Sequence, residues 1–360
     1  MKQIKLFEPS ITQREVDAVS KTLLSGWIGM GPKVEEFEKK FAEFVGVKYA
    51  VATNSCTTAL EIAMQLLDVR GKEVIVPAIT FVSTAHAVVK HGGKVIFCDV
   101  DPDSLLMNMD FLAGRDLRNV RAIIPVHLGG NRLDLPLLEE QFPLSSVEDC
   151  AHACGTRGAG LRGEIACWSF QAVKNLAVGD GGMLTTNNKA YYERAKSLRW
   201  LGITKDTWAR DKNAGYNWEY DVNVIGDKSH MNDINASIGL VQLERLEEMN
   251  NHREIITQRY RTGLASSPWI KLPIWQGNSS LHLFSIQCEC RDELMEYLRI
   301  RGISTGVHYK PINLYSCYGP RQSCPVAERV WKNLLSLPIH PNLSLDDVEY
   351  IVEAINGFKI

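Results

Sequence analysis

The pattern of apolar and polar positions in the first half of the chain alternates between strands and helices. Five short apolar runs predict buried strands, and the segments between them carry apolar residues at helical spacing. The predicted strands are Tyr49–Thr53, Glu73–Pro77, Lys94–Val100, Arg121–His127 and Ser146–Cys150, and the predicted helices are Thr57–Leu67, Phe81–His91 and Asp134–Gln141. This alternation is typical of a mostly parallel sheet that helices cover on both faces.

Two helices are predicted before the first strand. Thr12 and Glu15 form a capping-box pattern at the start of the first helix, and Gly26 ends it. Pro32 lies near the start of the second helix. The apolar stripes are Val16, Val19 and Leu23 on the first helix and Val34, Phe37, Phe41 and Phe44 on the second. Both stripes have the spacing of an amphipathic helix.

The pattern changes after about residue 166. Two neighbouring apolar runs, Cys167–Gln171 and Gly182–Thr186, predict an antiparallel edge of the sheet, and a long helix is predicted from Asn232 to about Arg261. A separate α/β unit follows, with strands Leu283–Cys290 and Ile303–His308 and helices Asp292–Arg301, Pro325–Asn333 and Ser344–Asn356. We therefore expect a large three-layer α/β/α domain over residues 1–250 and a smaller α/β domain over residues 251–360.

Composition narrows the function classes. The 360 residues include 40 Lys+Arg and 42 Asp+Glu, and a net charge of -2 argues against binding through nucleic-acid phosphates. The apolar runs are too short to span a bilayer, and the N-terminus has no apolar signal core. Nine cysteines without a C-x-x-C pair argue against structural zinc. We expect reduced thiols and a cytoplasmic protein without a metal.

Two charged residues are candidates for chemistry. Asp149 ends a predicted strand, where ligands of open parallel sheets collect, so it can hold a cationic ring nitrogen or simply cap a helix. Lys174 follows an apolar run and precedes the cluster Gly179–Gly182. Burial there would lower the pKa of the amine toward a nucleophilic free base, whereas the alternative is a solvated loop lysine.

Two further features lie at strand-to-helix junctions. Asn54–Thr58 offers helix N-terminal N–H groups and hydroxyls that suit an anion, although Ser55 or Thr57 can also serve as an ordinary cap. Phe81 opens the next predicted helix, where its ring is either core or a plate for a flat ligand. An anion site, an aromatic plate, a strand-end carboxylate and a buried lysine are together the parts that hold pyridoxal phosphate.

With these features the sequence resembles the DegT–DnrJ–StrS sugar aminotransferases, which have the aspartate-aminotransferase fold (fold type I). The resemblance covers nearly the whole chain, and its most specific part is Ser169–Asn175 followed by Gly179–Gly182. The other matching segments are Ser25–Pro32, Asn54–Leu60, Pro77–Ser83, Pro125–Leu128, Glu148–His152, His230–Leu240, His308–Pro311 and Leu335–Pro341. The resemblance implies that the cofactor is pyridoxal 5'-phosphate.

The resemblance also implies roles for single residues. Lys174 matches the lysine that forms a Schiff base with the cofactor and later moves protons, and Asp149 matches the aspartate that pairs with the pyridine nitrogen. His152 matches the residue beside the 3'-oxygen of the cofactor, and Phe81 matches the ring-stacking position. The phosphate-binding positions fall on Cys56, Thr57 and Ser169, and the substrate-binding positions fall on Trp27, His308 and Tyr309.

His230 falls where many relatives have an Asn or Arg that reaches the phosphate of the neighbouring subunit's cofactor. We therefore expect a homodimer with shared active sites, while the alternative for His230 is a surface histidine that caps the long helix.

The implied reaction is transamination of a keto sugar, most simply a nucleotide-linked 4-keto or 3-keto deoxysugar, with glutamate as donor. Relatives that act as dehydratases have histidine in place of Lys174. A sugar dehydratase and an inactive cofactor-binding regulator are the alternatives.

Overall fold

A seven-stranded sheet forms the centre of the fold. The computed structural model describes residues 3–112, 115–134, 144–204, 220–275 and 277–359. The strands are β1 Tyr49–Thr53, β2 Glu73–Pro77, β3 Lys94–Cys98, β4 Val120–Ile123, β5 Ser145–Asp149, β6 Ile165–Ser169 and β7 Gly182–Thr186, in the order β1-β7-β6-β5-β4-β2-β3. Strands β2 to β6 pair in parallel, which confirms the α/β prediction, while β7 is antiparallel to both of its neighbours.

The predicted antiparallel edge is wrong in one respect. The run Gly182–Thr186 does form an antiparallel strand, but β7 lies inside the sheet between β1 and β6, and β1 is at the edge. All five residues of β7 are buried. A strand buried in this way has its backbone paired on both sides, because unpaired buried N–H and C=O groups are costly.

Helices cover this sheet and continue into the C-terminal part. The described helices are α1 Gln13–Leu24, α2 Pro32–Val45, α3 Cys56–Leu66, α4 Ser83–Lys90, α5 Lys189–Leu198, α6 Asp233–Leu264, α7 Arg291–Ile300, α8 Pro325–Val330 and α9 Leu345–Asn356. Short 3-10 turns lie at Met109–Leu112, Leu128–Gly130, Ile312–Leu314, Ser316–Tyr318 and Trp331–Asn333. The predicted helix Asp134–Gln141 lies outside the described residues from position 135 onward. Among the helices described, none combines the length and apolar character that a bilayer crossing requires.

The C-terminal part contains a two-stranded sheet, and the sequence predicted only one of its two strands. Strand β8, Phe284–Gln287, pairs antiparallel with β9, Leu334–Leu337, which was not predicted. The predicted strand Ile303–His308 is wrong. Its residues make only isolated bridges, from Ile303 to Ile4 and from Gly306 to Ser336.

Helix α1 forms as predicted, but its apolar stripe does not face the core. Thr12 and Glu15 make the predicted capping box. Val16 and Leu23 are 48% and 51% exposed, whereas Glu15 is buried and accepts hydrogen bonds from Arg245 and Gln242 of α6. The helix therefore turns a polar side toward the molecule and an apolar side outward.

Helix α6 contributes to two separate hydrophobic clusters. Its first half supplies Leu246 and Met249 to a cluster beside the central sheet. Its second half supplies Ile256, Tyr260 and Leu264 to the cluster of the C-terminal part. The boundary near residue 250, between domains 1–250 and 251–360, stays a prediction, and the helix runs through that position without a break.

Candidate active site

A cavity of about 530 Å³ lies at the carboxyl ends of the sheet strands. Open α/β sheets bind their ligands at this edge because the loops that follow parallel strands converge there. The predicted residues that line the cavity are Cys56, Thr57, Phe81, Asp149, His152, Ser169, Lys174, His308 and Tyr309. Trp27 and His230 do not belong to its lining.

One end of the cavity is formed by the N-terminus of α3. Ser55 is the N-cap, and its hydroxyl accepts a hydrogen bond from the Thr58 N–H at 3.2 Å. The Thr57 hydroxyl lies 2.7 Å from that of Ser83. Strand β7 reaches this helix end because Gly182 has no side chain, since a Cβ there would lie 2.4 Å from the Cys56 nitrogen. Capping by Ser55 and anion binding are thus compatible, because the first N–H groups of a helix remain available.

Asp149 is the last residue of β5 and is 4% exposed. Its carboxylate accepts hydrogen bonds from the Thr84 hydroxyl at 2.9 Å and from the Ala151 N–H at 3.1 Å. Turns, not a helix, follow Asp149, so the alternative of a helix cap is wrong. Burial raises the pKa of this carboxyl, against the lowering effect of its hydrogen bonds and of nearby Lys174. A cationic partner in the cavity would relieve that cost.

Lys174 lies in the turn between β6 and β7, where its N–H donates to the carbonyl of Gln171 at 2.8 Å. Burial lowers the pKa of its amine to about 8, although the nearby Cys56 and Asp149 act in the opposite direction. At pH 7 about one lysine in ten is then a neutral amine, against about one in three thousand at the ordinary pKa. A neutral amine is the form of lysine that can act as a nucleophile.

His152 is held as a neutral imidazole of defined tautomer. Its Nδ1 accepts a hydrogen bond from the Gly129 N–H at 3.2 Å, so the proton is on Nε2, which lies 3.2 Å from the hydroxyl oxygen of Tyr309. Burial lowers the pKa of His152 well below its ordinary value. His308 is also uncharged near neutral pH, because burial lowers its pKa to about 4, and its Nδ1 lies 2.9 Å from the Ser336 hydroxyl.

Phe81 is an exposed aromatic ring in the cavity wall. It lies before α4, not in its first turn, and is 57% exposed, with its ring centre 6.0 Å from that of Tyr309. This placement leaves the ring open to a flat ligand. Sequence reasoning missed its neighbours Ser83 and Thr84, whose hydroxyls contact Thr57 and Asp149. A signal was available, because both hydroxyls lie in the first turn of the helix that follows β2.

Trp27 and His230 lie elsewhere in the subunit. Trp27 is half-buried in the loop between α1 and α2, and its Nε1–H donates to the carbonyl of Met30 at 3.1 Å. His230 makes an isolated bridge with Thr53 at the end of β1, and its ring lies 4.4 Å from that of Trp200. Burial lowers the pKa of His230 to about 4.

Comparison with known proteins agrees with this geometry. The sequence profile of the DegT/DnrJ/EryC1/StrS aminotransferase family matches residues 9–356. The Spore coat polysaccharide biosynthesis protein SpsC of Bacillus subtilis is 37% identical over 369 residues, covering 96% of this chain and 95% of SpsC. The sugar aminotransferase CalS13 of Micromonospora echinospora is 29% identical, with a TM-score of 0.89 over 99% of this chain and 100% of CalS13. Spr1654 of Streptococcus pneumoniae in its PLP form is 30% identical, with a TM-score of 0.90 over 99% of this chain and 100% of Spr1654.

Fold and site together define a fold type I aminotransferase that depends on pyridoxal phosphate. The cavity fits this cofactor, since it joins a helix N-terminus, an exposed aromatic ring, a buried carboxylate and an amine of lowered pKa. The chain belongs to the DegT/DnrJ/EryC1/StrS aminotransferase family.

Proposed function

We propose that this enzyme transfers an amino group from glutamate to a keto sugar, most simply a nucleotide-linked 4-keto or 3-keto deoxysugar. The observation that carries the proposal is one cavity that holds both Lys174, with its pKa lowered to about 8, and the buried Asp149. The likeness to the sugar aminotransferase CalS13 supports a sugar as the acceptor. The nine free cysteines agree with a reducing, cytoplasmic location.

Different residues of the cavity would bind different parts of the cofactor. The helix N-terminus at Cys56 and Thr57, with the Ser169 hydroxyl, would bind the phosphate. Phe81 would stack on the ring, and the His152 Nε2–H, which lies 3.2 Å from the Tyr309 hydroxyl, would face the 3'-oxygen. When bound, pyridoxal phosphate supplies an electron sink for the carbanion at the amino carbon.

Two residues carry the proton chemistry. Asp149 would hold a proton on the ring nitrogen of the cofactor, because a buried carboxylate is stabilised by a cation beside it. The Lys174 amine would hold the cofactor covalently at its aldehyde carbon. Lys174 Nζ would also accept the proton that leaves the substrate carbon. His308 and Tyr309 line the same cavity and orient the sugar there, whereas Trp27 lies outside it and can contact a sugar only in the cavity of the partner subunit.

Glutamate alone tests the donor half of this function. Added to the yellow holoenzyme, it should convert the bound cofactor to the pyridoxamine form with release of 2-oxoglutarate, measured by absorbance and by assay of the keto acid. A panel of nucleotide-linked and free keto sugars should then restore the yellow form and yield an amino sugar by mass spectrometry. D-glutamate serves as the matched control. A yellow protein that gives neither half-reaction would be a binder, not a transaminase.

The active enzyme is a homodimer with shared sites, and two features support this. The outward apolar side of α1 includes Leu24, which is 88% exposed, and its burial against a second copy would remove it from water. His230 lies outside its own cavity, and its side chain is only partly buried. An N–H of its neutral ring can complete the phosphate shell of the partner's cofactor.

A mixed dimer tests this sharing. Lys174→Ala and His230→Ala subunits, each nearly inactive as a homodimer, are combined under two affinity tags and the heterodimer is isolated. Sharing predicts roughly half of the wild-type rate, because one pocket of the pair collects Lys174 and His230 from different wild-type halves. A heterodimer no better than its parents would mean that His230 serves its own subunit or none.

A further inference from the structure

A buried polar cluster lies behind the catalytic lysine and has no part in the function described above. Asn175, the residue after Lys174, is 4% exposed, and His282, which leads into β8, is 1% exposed. His282 Nδ1 lies 2.9 Å from Asn175 Oδ1. Burying polar groups costs free energy of folding, so a buried polar pair beside Lys174 suggests a function for these two side chains.

The orientation of both side chains follows from their other contacts. Asn175 Nδ2 lies 2.6 Å from the carbonyl oxygen of Ser280 and 2.8 Å from Asn250 Oδ1. A carbonyl only accepts, so Nδ2 is the amide nitrogen that donates, and Oδ1 faces His282. His282 therefore carries its proton on Nδ1 and donates it to Asn175. Burial lowers the pKa of His282 well below its ordinary value, which keeps the ring neutral.

The same ring also contacts the cofactor side of the cavity. The centre of the His282 ring lies 4.4 Å from that of His152, and Phe7 stacks on His282 at 5.5 Å with an interplanar angle of 8°. The backbone N–H of His282 donates to the Gly129 carbonyl at 3.0 Å, and the Gly129 N–H donates to His152. His282 is thus joined to both His152 and the Lys174 segment.

We propose that His282 is a positioning residue that fixes the Lys174 amine through Asn175 and the His152 ring by direct packing. This role rests on the proposed function only in that Lys174 is the reacting amine. Without the Nδ1–H donor, Asn175 Oδ1 is left buried and unpaired, and the turn that carries Lys174 loosens. The Lys174 amine then loses part of the packing that lowers its pKa.

The test measures the pKa of Lys174 in the cofactor-free protein by its rate of acetylation against pH, followed by peptide mass spectrometry. His282→Leu should move this pKa from about 8 toward 10.5. Each unit of that shift leaves about tenfold less neutral amine at pH 7, and kcat with glutamate should fall with it more than KM rises. His282→Asn should restore the pKa, because its amide N–H lies where Nδ1 lies, whereas His282→Gln extends too far.

A matched control separates positioning from loss of a buried imidazole. His340 is 3% exposed, also lies in the C-terminal part and contacts the Lys5 carbonyl. His340→Leu should cost stability but leave the pKa of Lys174 unchanged. An equal shift in His340→Leu, or none in His282→Leu, overturns the proposal; if His282→Leu does not fold, equal values in the Asn and Gln variants overturn it. The acetylation readout requires no sugar, so failure of the proposed substrate would leave it intact.

Discussion

Lys174→Ala is expected to lower the rate of amino transfer by about 10⁴-fold or more, because it removes the amine that we propose as both nucleophile and proton carrier. Borohydride reduction of the wild-type holoenzyme should attach the cofactor to the peptide that contains Lys174. The variant should show no such adduct, even if cofactor still binds. The fold should persist, since alanine removes a buried amine whose charged form is penalised by burial.

The matched variant is Lys174→Arg, which keeps the positive charge and most of the side-chain volume. Its guanidinium is not a nucleophile, so it should be as inactive as the alanine variant. Measurable turnover in Lys174→Arg, or a wild-type adduct on a different lysine, would contradict the assignment of Lys174.

Asp149→Asn should lower kcat by about 100-fold or more, a loss of the size seen when one preorganised electrostatic group is removed from an active site. The asparagine amide has the same shape as the carboxylate, and its nitrogen can donate a hydrogen bond to the Thr84 hydroxyl. That hydroxyl can then donate its own hydrogen bond to the Phe81 carbonyl, which lies 3.1 Å away. Only the charge beside the ring nitrogen is lost.

Stability provides a second measurement on the same variant. Because burial raises the pKa of Asp149, the folded cofactor-free protein binds more protons than the unfolded chain, and its stability falls as pH rises through that pKa. Asp149→Asn removes this dependence and should melt no lower than wild type at pH 8. Asp99→Asn is the control, since Asp99 is also buried but lies away from the cavity. Its carboxylate accepts hydrogen bonds from the backbone N–H groups of Val326 and Ala327. Full activity in Asp149→Asn would exclude the ring-nitrogen role.

The sequence predicted those elements whose signal is local. Strands β1 and β2 have the predicted bounds because each is a buried apolar run with polar flanks. Strand β9 was missed because its four residues follow a 3-10 turn without alternation, and its partner β8 lies far earlier in the chain. The exposure of the apolar stripe of α1 could not be predicted for a related reason. Periodicity reports amphipathicity but not which neighbour covers the apolar side.

The residues of the cavity show the same difference between local signals and contacts of residues that are distant in the chain. Lys174, Asp149 and the α3 N-terminus were found because each is followed or preceded by a recognisable strand, helix or glycine cluster. Thr84 and His282 were not, because their contacts join residues 65 and 107 positions apart in the chain. Such pairings depend on how strands are ordered in space, which hydrophobic spacing does not encode.

The unbroken course of α6 has a consequence for how the protein unfolds. At 1.5 Å per residue its 32 residues extend about 48 Å, as one rigid rod shared by two hydrophobic clusters. Melting the cluster around Tyr260 would fray the same helix that Leu246 anchors beside the sheet, so neither cluster is lost independently of the other. A fragment cut at residue 250 would expose the apolar side of both half-helices. The two hydrophobic clusters are therefore expected to unfold cooperatively, because they share one continuous helix.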